Sequence, residues 1–483
     1  MIQTLIPPPI EAPAQPHGPL KGRLGWALTP RALVLLAAGC LLAIPAFFHP
    51  RWIVAMLAWD AFILALAILD AALLPSPAAL TAGRRFEESP VLGQPTRITL
   101  SVTHAAHRIL ELRLTDALHP HLDPLPATHT LQAFPRDPAQ LGFTITPNTR
   151  GDVALGRIFL RYRGSLHLAE RWAVADLAQN VRIYPPLERS PEDSALYLLR
   201  IRQIALQKRR LRLRGVGREF ESLREYQRGD ELRNVSWTAT ARRAKVITRE
   251  FTTERSQQVW IVLDAGRLSR TAFELRPTRS GSTETTQTSE ESLTLSLTQL
   301  DQASGAAIAL AQTVMQAGDK AALLVYGRRI QQQLPPASGP AHLRQFIDSL
   351  AQIRPESAEA AHLAAAARLK HLQRRRSLVL WITELADTAR RPEVVDAAAD
   401  LARRHLVLLV LLVHPELDTL ARHEPSSVEA MFHSAAAVEI LERRREMVAR
   451  LRALGVLVVE TSAGSMQTAA INEYLEIKAK GLI

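Results

Sequence analysis

Two carboxylates in the C-terminal half of the chain have the type and position to do chemistry. Asp264 ends one apolar, strand-like run and Glu384 follows another. In an open α/β sheet, ligands bind beyond the carboxyl ends of the strands, so both side chains are expected to face that crevice, with Ser357 and Thr383 as nearby hydroxyl groups. Oxygen donors of this kind suit Mg²⁺ or another hard cation. The alternative is that Asp264 caps the loop after its strand and Glu384 is solvated.

Motifs for other chemistries do not occur in the sequence. It has no GxxxxGK phosphate loop, no GxGxxG turn, no CxxC, no HExxH and no Gly-x-Ser-x-Gly elbow. No nucleophile–base–orienter set can be assembled from it, and it offers no nucleotide site. We therefore expect a non-enzymatic protein without a resident cofactor, unless the two carboxylates hold Mg²⁺.

The most patterned stretch of the chain surrounds Gly229. This glycine can end one segment, and Asp230 can cap the helix that follows. On that helix Arg233, Trp237 and Ala241 recur every four residues and therefore share one face. The stretch is either a charged docking surface or an ion-paired packing unit that ties two domains together.

Two apolar runs near the N-terminus, Ala32 to Phe48 and Trp52 to Leu74, are separated by three residues. A hydrocarbon core about 30 Å thick needs roughly 20 apolar helical residues, so residues 26–75 are predicted to form a two-helix membrane hairpin. Basic residues flank the pair and only Arg51 lies at its tip. The positive-inside rule then predicts that the bulk of the chain lies in the cytoplasm, at the inner (plasma) membrane of the cell.

The second apolar run contains two carboxylates, Asp60 and Asp70. Carboxylates inside a membrane are costly and often functional. They are interpreted either as a proton or ion relay or as polar contacts with the partner helix, with Asp70 near the interface.

The remaining sequence divides by composition and periodicity. The formal net charge is +12, and a basic stretch from Arg200 to Arg214 is either a lipid or nucleic-acid patch or a solvated helix face. No aromatic residues are interleaved with its arginines, so nucleic acid is not an expected partner. The predicted divisions are a Pro-rich disordered tail (1–25), an antiparallel β domain (80–188), a basic helical and signature segment (190–250) and an α/β domain (255–483) with a Ser/Thr-rich insertion (277–298).

The α/β prediction follows from the alternation of elements after Val259. Apolar strands such as Leu378 to Thr383 and Leu406 to Val413 are separated by helical patterns such as Gln299 to Ala317. Strands that are apolar throughout are typical of a mostly parallel sheet covered on both faces. We therefore expect a doubly wound sheet, with Ile330 to Leu334 as a short edge strand.

The stretch around Gly229 also resembles the family called domain of unknown function 58. The matching positions carry the family's glycines, charged residues and aromatic residues at fixed spacing. They are Gly217, Glu219, Phe220, Arg224, Tyr226, Gly229, Asp230, Arg233, Trp237 and Arg242. The resemblance implies a membrane hairpin, a β domain and a domain like von Willebrand factor A. It further implies an accessory role with a MoxR-type AAA+ ATPase in the assembly or activation of other proteins.

One departure from this resemblance concerns the metal site. Von Willebrand A domains bind metal through Asp-x-Ser-x-Ser, and here Gly266 and Leu268 stand where the two serines would follow Asp264. Glu384 stands in place of a later aspartate, and Ser357 in place of a threonine. Protein binding is thus the leading prediction, and a metal-dependent enzyme or metal carrier that uses Asp264 and Glu384 is the alternative.

Overall fold

The chain divides into an N-terminal unit and a C-terminal unit. The computed structural model describes residues 17–46, 48–120, 122–123, 128–186, 219–227, 232, 235–243, 245–252, 256–275, 295–385 and 392–482. The described residues of the N-terminal unit lie within 17–186 and 274–297, and those of the C-terminal unit lie within 219–273 and 298–482. The basic stretch, the signature residues Gly217, Gly229, Asp230 and Arg233, and most of the Ser/Thr-rich insertion lie outside the described residues.

The N-terminal unit is built mainly from antiparallel strands. Its elements are β1 (His17–Pro19), β2 (Lys21–Leu28), α1 (Pro30–Cys40), α2 (Ala43–Ala46), α3 (Arg51–Leu73), β3 (Leu80–Phe86), β4 (Thr96–His104), β5 (Leu110–Asp116), β6 (Leu122–Asp123), β7 (His129–Ala133), β8 (Ala139–Pro147), β9 (Gly151–Leu155), β10 (Ile158–Arg163), β11 (Ala169–Ala175) and β12 (Gln179–Ile183). Two five-stranded sheets have the orders β1-β3-β4-β8-β6 and β2-β11-β10-β5-β7, and β12 pairs with β9. Alternate residues of β4 and β5 are buried, as expected for strands with one face on a core.

The sequence prediction of a disordered tail through residue 25 is wrong from His17 onward. β1 pairs with β3, β2 pairs with β11, and Leu20 between the two strands is buried in the core of the unit. Both strands gain their hydrogen bonds from partners that are distant in sequence. Proline-rich composition indicates local preferences only, so it could not reveal those partners.

The membrane hairpin predicted for residues 26–75 is not confirmed. Among the described residues only α3, with 23 residues, is long and apolar enough to cross a membrane. α1 has 11 residues, which span about 16 Å at 1.5 Å per residue. The first run is interrupted after Cys40, and α2 contains Pro45, which lacks the N–H that a continuous helix needs. The two helices still touch, because the Trp59 indole N–H donates to the Leu35 carbonyl at 2.9 Å.

Asp70 joins the end of α3 to the β structure. Its Oδ2 accepts hydrogen bonds from the backbone N–H groups of Leu168 and Ala169, both at 3.0 Å, and the carboxyl is buried. Thr29 caps α1, because its side-chain oxygen accepts a hydrogen bond from the Ala32 N–H at 3.3 Å, and its hydroxyl also donates to the His167 carbonyl of the same connection at 2.6 Å. The polar contact expected between the two apolar helices is therefore made by Asp70 with the β10–β11 connection instead.

We predict that Asp70→Ala destabilises the N-terminal unit by about 1–3 kcal/mol, since two buried N–H groups lose their acceptor. Asp70→Asn should cost less, because its amide oxygen still accepts. Thermal unfolding of the full chain in detergent, followed by circular dichroism, measures the difference. Equal midpoints for Asp70→Ala and the wild type would contradict this account.

The C-terminal unit contains a single large sheet covered by helices. The elements in this half of the chain are β13 (Glu219–Glu225), α4 (Trp237–Arg243), β14 (Ile247–Thr252), β15 (Gln258–Asp264), β16 (Ala272–Leu275), β17 (Leu295–Thr298), α5 (Gln299–Gln316), β18 (Lys320–Tyr326), β19 (Ile330–Ala337), α6 (Pro340–Gln352), α7 (His362–Leu372), β20 (Leu378–Thr383), α8 (Glu393–Ala402), β21 (Leu406–Leu412), α9 (Pro415–Arg422), α10 (Val428–Ala453), β22 (Leu457–Thr461) and α11 (Met466–Ala479). Residues 274–275 of β16 and 295–297 of β17 belong to the N-terminal unit. The order of the large sheet is β19-β18-β15-β20-β21-β22, and β13 pairs with β14 in a separate hairpin.

The large sheet agrees with the predicted mostly parallel arrangement. β15 pairs in parallel with both β18 and β20, and β19 is an antiparallel edge strand. Because the chain passes from β15 to β18 on one side and later to β20 on the other, the strand order reverses at β15. Such a reversal opens a crevice at the carboxyl ends of the strands, and Asp264 lies at that end of β15.

Candidate functional site

Asp264 is held in place by two hydrogen bonds at the end of β15. Its Oδ1 accepts from the Gly266 N–H and its Oδ2 from the Thr383 hydroxyl, each at 2.8 Å. Burial raises the pKa of the Asp264 carboxyl, against the lowering effects of the nearby His362 and of these two hydrogen bonds. The expectation that Asp264 caps the loop after its strand is therefore confirmed, and Thr383 is brought to it across the sheet.

A buried aromatic network lies on one side of Asp264. The Trp381 indole N–H donates to the Tyr326 hydroxyl oxygen at 2.8 Å, and that hydroxyl lies 2.7 Å from Nδ1 of His362. Burial raises the pKa of Tyr326 well above its usual value and lowers the pKa of His362. Both groups are thus neutral at neutral pH, so the tyrosine proton can be donated to Nδ1 of His362.

Glu384 is buried and paired through only one of its two oxygens. Its Oε1 lies 2.9 Å from Nε2 of His414, and this hydrogen bond raises the pKa of that histidine. Its Oε2 is buried without a hydrogen-bond partner among the described residues. The expectation of a solvated Glu384 is wrong, because the end of β21 and the histidine that follows it enclose the carboxylate.

A small pocket of about 10 Å³ brings these groups together, with room for about one water molecule. Its polar lining consists of Asp264, Ser269, Gln299, Thr383 and Glu384. Gln299 is buried, and its Oε1 also has no partner among the described residues. Two residues that line the pocket therefore carry an unpartnered acceptor oxygen, and a buried oxygen of this kind favours a hydrogen-bond donor or a cation.

The structure places Ser357 apart from the other predicted site residues. It is exposed and does not line the pocket, although the neighbouring Glu356 N–H donates to the Ala265 carbonyl at 2.8 Å. Sequence reasoning missed Ser269, whose hydroxyl donates to the Gly266 carbonyl at 2.7 Å. A short 3₁₀ turn, Arg267–Arg270, returns Ser269 to the pocket. The Asp-x-Ser-x-Ser pattern requires serines two and four residues after Asp264, so it does not identify Ser269.

Gln299, His362 and His414 were also missed by sequence reasoning. Each follows a described strand or begins a helix near the carboxyl end of the sheet. Their position relative to strand ends is a signal that could have identified them. Within the described residues no group of three or more histidine, cysteine or acidic side chains is arranged to hold a metal ion.

The signature residues that the structure describes lie on or beside a separate hairpin with a short helix between its strands. Glu219, Phe220 and Arg224 lie on β13, in register with β14. Between the strands, the Ser236 N–H donates to the Ile247 carbonyl at 2.8 Å and leads into α4. Signature residues on or beside this hairpin also include Tyr226, Trp237 and Arg242. Tyr226 is partly buried. Arg242 and Trp237 are both exposed, and 69% of Trp237 is open to solvent.

Comparison with known families bears on this hairpin and the sheet that follows it. Residues 222–429 match the family described as "Protein of unknown function DUF58". The resemblance to DUF58 is confirmed over this region, which covers most of the signature hairpin and of the sheet strands. The likeness to von Willebrand factor A domains stays a prediction.

Two solved structures are similar at low identity. "Crystal structure of conserved hypothetical protein BatB from Bacteroides thetaiotaomicron" has 17% identity, covers 46% of this chain and 99% of that chain, and has a TM-score of 0.30. The β-glucosidase EmGH1 from Erythrobacter marinus has 16% identity, covers 23% of this chain and 16% of that chain, and has a TM-score of 0.13. TM-scores this low carry no argument about function. No curated protein matches the chain.

The raised pKa of His414 predicts a pH dependence of stability. The stabilisation from its pair with Glu384 is fully present below the unfolded-state value of about 6.5 and is lost as the pH rises through the higher folded-state value. The wild-type unfolding midpoint should therefore fall more steeply above about pH 6.5 than that of His414→Gln. His423→Gln, at an exposed histidine, is the control and should follow the wild type. Parallel curves for all three proteins would contradict the assignment.

Proposed function

We propose that this chain is a membrane-anchored, non-enzymatic protein-binding module that acts with a MoxR-type AAA+ ATPase in the assembly or activation of other proteins. α3 would serve as the anchor, with the C-terminal unit in the cytoplasm. The DUF58 match over residues 222–429 supports the family on which this expectation rests. The chain has no phosphate-loop motif, so the proposal assigns nucleotide hydrolysis to the partner.

The exposure of Trp237 is the observation that carries this proposal. The residue belongs to the family signature, yet its side chain is 69% exposed and is not used to build a core. The exposed Leu232 lies close by in the same connection. Tryptophan is among the residues most enriched at the energetic centres of protein interfaces. A signature tryptophan that the fold leaves in solvent favours a role in docking.

We predict that Trp237→Ala abolishes co-purification of a MoxR-type ATPase from membranes while changing the free energy of unfolding by less than about 0.5 kcal/mol. Affinity capture of the full chain from detergent-solubilised membranes, with the ATPase quantified by mass spectrometry, measures the first effect. Trp26→Ala is the matched control, because that tryptophan is 43% exposed in the N-terminal unit. Equal ATPase recovery with Trp237→Ala and Trp26→Ala would contradict the proposal.

A second candidate function is that of a metal-dependent enzyme or metal carrier. The unpartnered oxygens of Glu384 and Gln299 favour it, because both residues line a pocket together with Asp264, Ser269 and Thr383. These are hard oxygen donors, which fit Mg²⁺. A bound Mg²⁺ would supply Lewis-acid polarisation of a ligand oxygen. The chain's own groups would orient it, with His414 holding one oxygen of Glu384.

Calorimetric titration of the full chain in detergent with Mg²⁺ tests this second function. We expect Glu384→Gln to weaken binding by roughly tenfold or more, because a charged ligand becomes neutral. Ser357→Ala should bind as the wild type does, since Ser357 does not line the pocket. Absence of any binding heat with the wild type would remove the metal hypothesis and leave the protein-binding proposal intact.

A further inference from the structure

Helix α10 (Val428–Ala453) presents two different faces. Its inner face buries Ala437, Arg444, Met447, Val448 and Leu451. The last three belong to the core of the C-terminal unit. The helix contacts α9, α8 and β22. The structure thus accounts for this face as the one that attaches the helix to the sheet.

The opposite face of α10 is apolar in its first half. Val428, Met431, Phe432, Ala435 and Val438 recur at three- and four-residue spacing, which places them on one stripe. All five are exposed, with 68% of Phe432 open to solvent. A contiguous exposed apolar stripe is typical of an interaction site.

The same face becomes acidic in its second half. Glu439, Glu442 and Glu446 continue the stripe at the same spacing and are exposed. Glu439 pairs with Arg443 on its own helix. The outward face therefore runs from apolar to acidic over about 19 residues, which is roughly 28 Å at 1.5 Å per residue. We call this face, from Val428 to Glu446, the outer face of α10.

This order of side chains selects the class of partner. A second copy is disfavoured in either direction, because parallel pairing opposes glutamates and antiparallel pairing places glutamates on apolar residues. An anionic lipid surface is disfavoured by like charge. A helix with apolar residues followed by lysine or arginine satisfies both halves, burying the stripe and pairing the carboxylates.

We propose that the outer face of α10 is a docking surface for a partner helix that is apolar in one half and basic in the other. The partner's apolar half lies against the apolar stripe, and its basic half lies against the three glutamates. The surface is independent of the exposed Trp237 on α4 and of the pocket at Asp264. Its test therefore does not depend on either proposed function.

A labelled peptide of about 19 residues serves as the probe, its length matching the outer face at 1.5 Å per residue. One side carries leucines in the first half and lysines in the second. Fluorescence anisotropy measures its binding to the full chain in nanodiscs of zwitterionic lipid, with empty nanodiscs as blank. Phe432→Asp should weaken binding by roughly tenfold or more, as expected for the loss of a central aromatic contact. Leu363→Asp is the matched control, because Leu363 is 48% exposed on α7 of the same unit, and it should bind as the wild type does.

An exchange of charges tests whether the basic half of the partner pairs with the three glutamates. The triple variant Glu439→Lys, Glu442→Lys and Glu446→Lys should lose affinity for the lysine peptide and gain affinity for a peptide in which glutamates replace the lysines. Equal binding of the lysine peptide to wild type, Phe432→Asp and the triple variant would overturn the proposal.

Two further experiments distinguish other occupants of the outer face of α10. If the wild type sediments as a dimer and Phe432→Asp as a monomer, a second copy occupies the face and the proposal fails. The second experiment changes Arg209 and Arg210, two basic residues of the same chain that lie outside the described residues. If Arg209→Glu with Arg210→Glu raises peptide affinity, the chain's own segment occupies the face and the proposal of a separate partner also fails.

Discussion

Buried carboxylates need hydrogen-bond donors, and this constraint organises both units. Asp70 takes two backbone N–H groups and fixes the apolar helix to the β structure. Asp116 takes the Arg84 guanidinium within the β core, where both side chains are almost fully buried. Asp319 accepts hydrogen bonds from the Gln257 N–H and the Tyr474 hydroxyl and forms an ion pair with Lys478. These contacts hold α11 to the start of the sheet. Removing one partner of such a pair leaves an uncompensated buried charge, so these contacts tolerate little change.

Two carboxylates depart from this pattern. Asp60 in α3 and Glu384 beside the sheet each retain one buried oxygen without a partner among the described residues. Asp60 packs so closely on Gly39 that a Cβ at this position would clash with the Asp60 Oδ1. Because Gly39 has no side chain, the two apolar helices can approach each other closely at the Asp60 carboxyl. Glu384 lines a pocket, and for this reason it bears on the candidate functions, whereas Asp60 bears on helix packing.

The sequence predicted the large sheet well and the N-terminal region poorly, for physical reasons. Strands such as β20, predicted and observed over Leu378–Thr383, are buried on both faces, so their composition alone identifies them. The first apolar run is broken into two helices, the second of which contains Pro45, and β2 forms by pairing with β11. Pairing with a strand that is distant in sequence leaves no local signal. At the site, Asp264 and Glu384 were found from their position at strand ends. Ser269 and Gln299 reach the pocket through a turn and a helix start whose geometry the sequence does not encode in any fixed spacing.

The distribution of exposed apolar groups separates folding from recognition in the C-terminal unit. The core is supplied by the sheet and the inner faces of its helices, with Trp260 and Trp381 almost completely buried. Trp237 and Phe432 add nothing to that core and leave apolar surface in water, which costs about 25 cal/mol for each Å² that a partner would otherwise cover. A fold that buries two tryptophans so completely does not need a third in solvent for stability. Folding therefore does not account for the exposure of Trp237 and of the outer face of α10, and both docking proposals rest on that exposure.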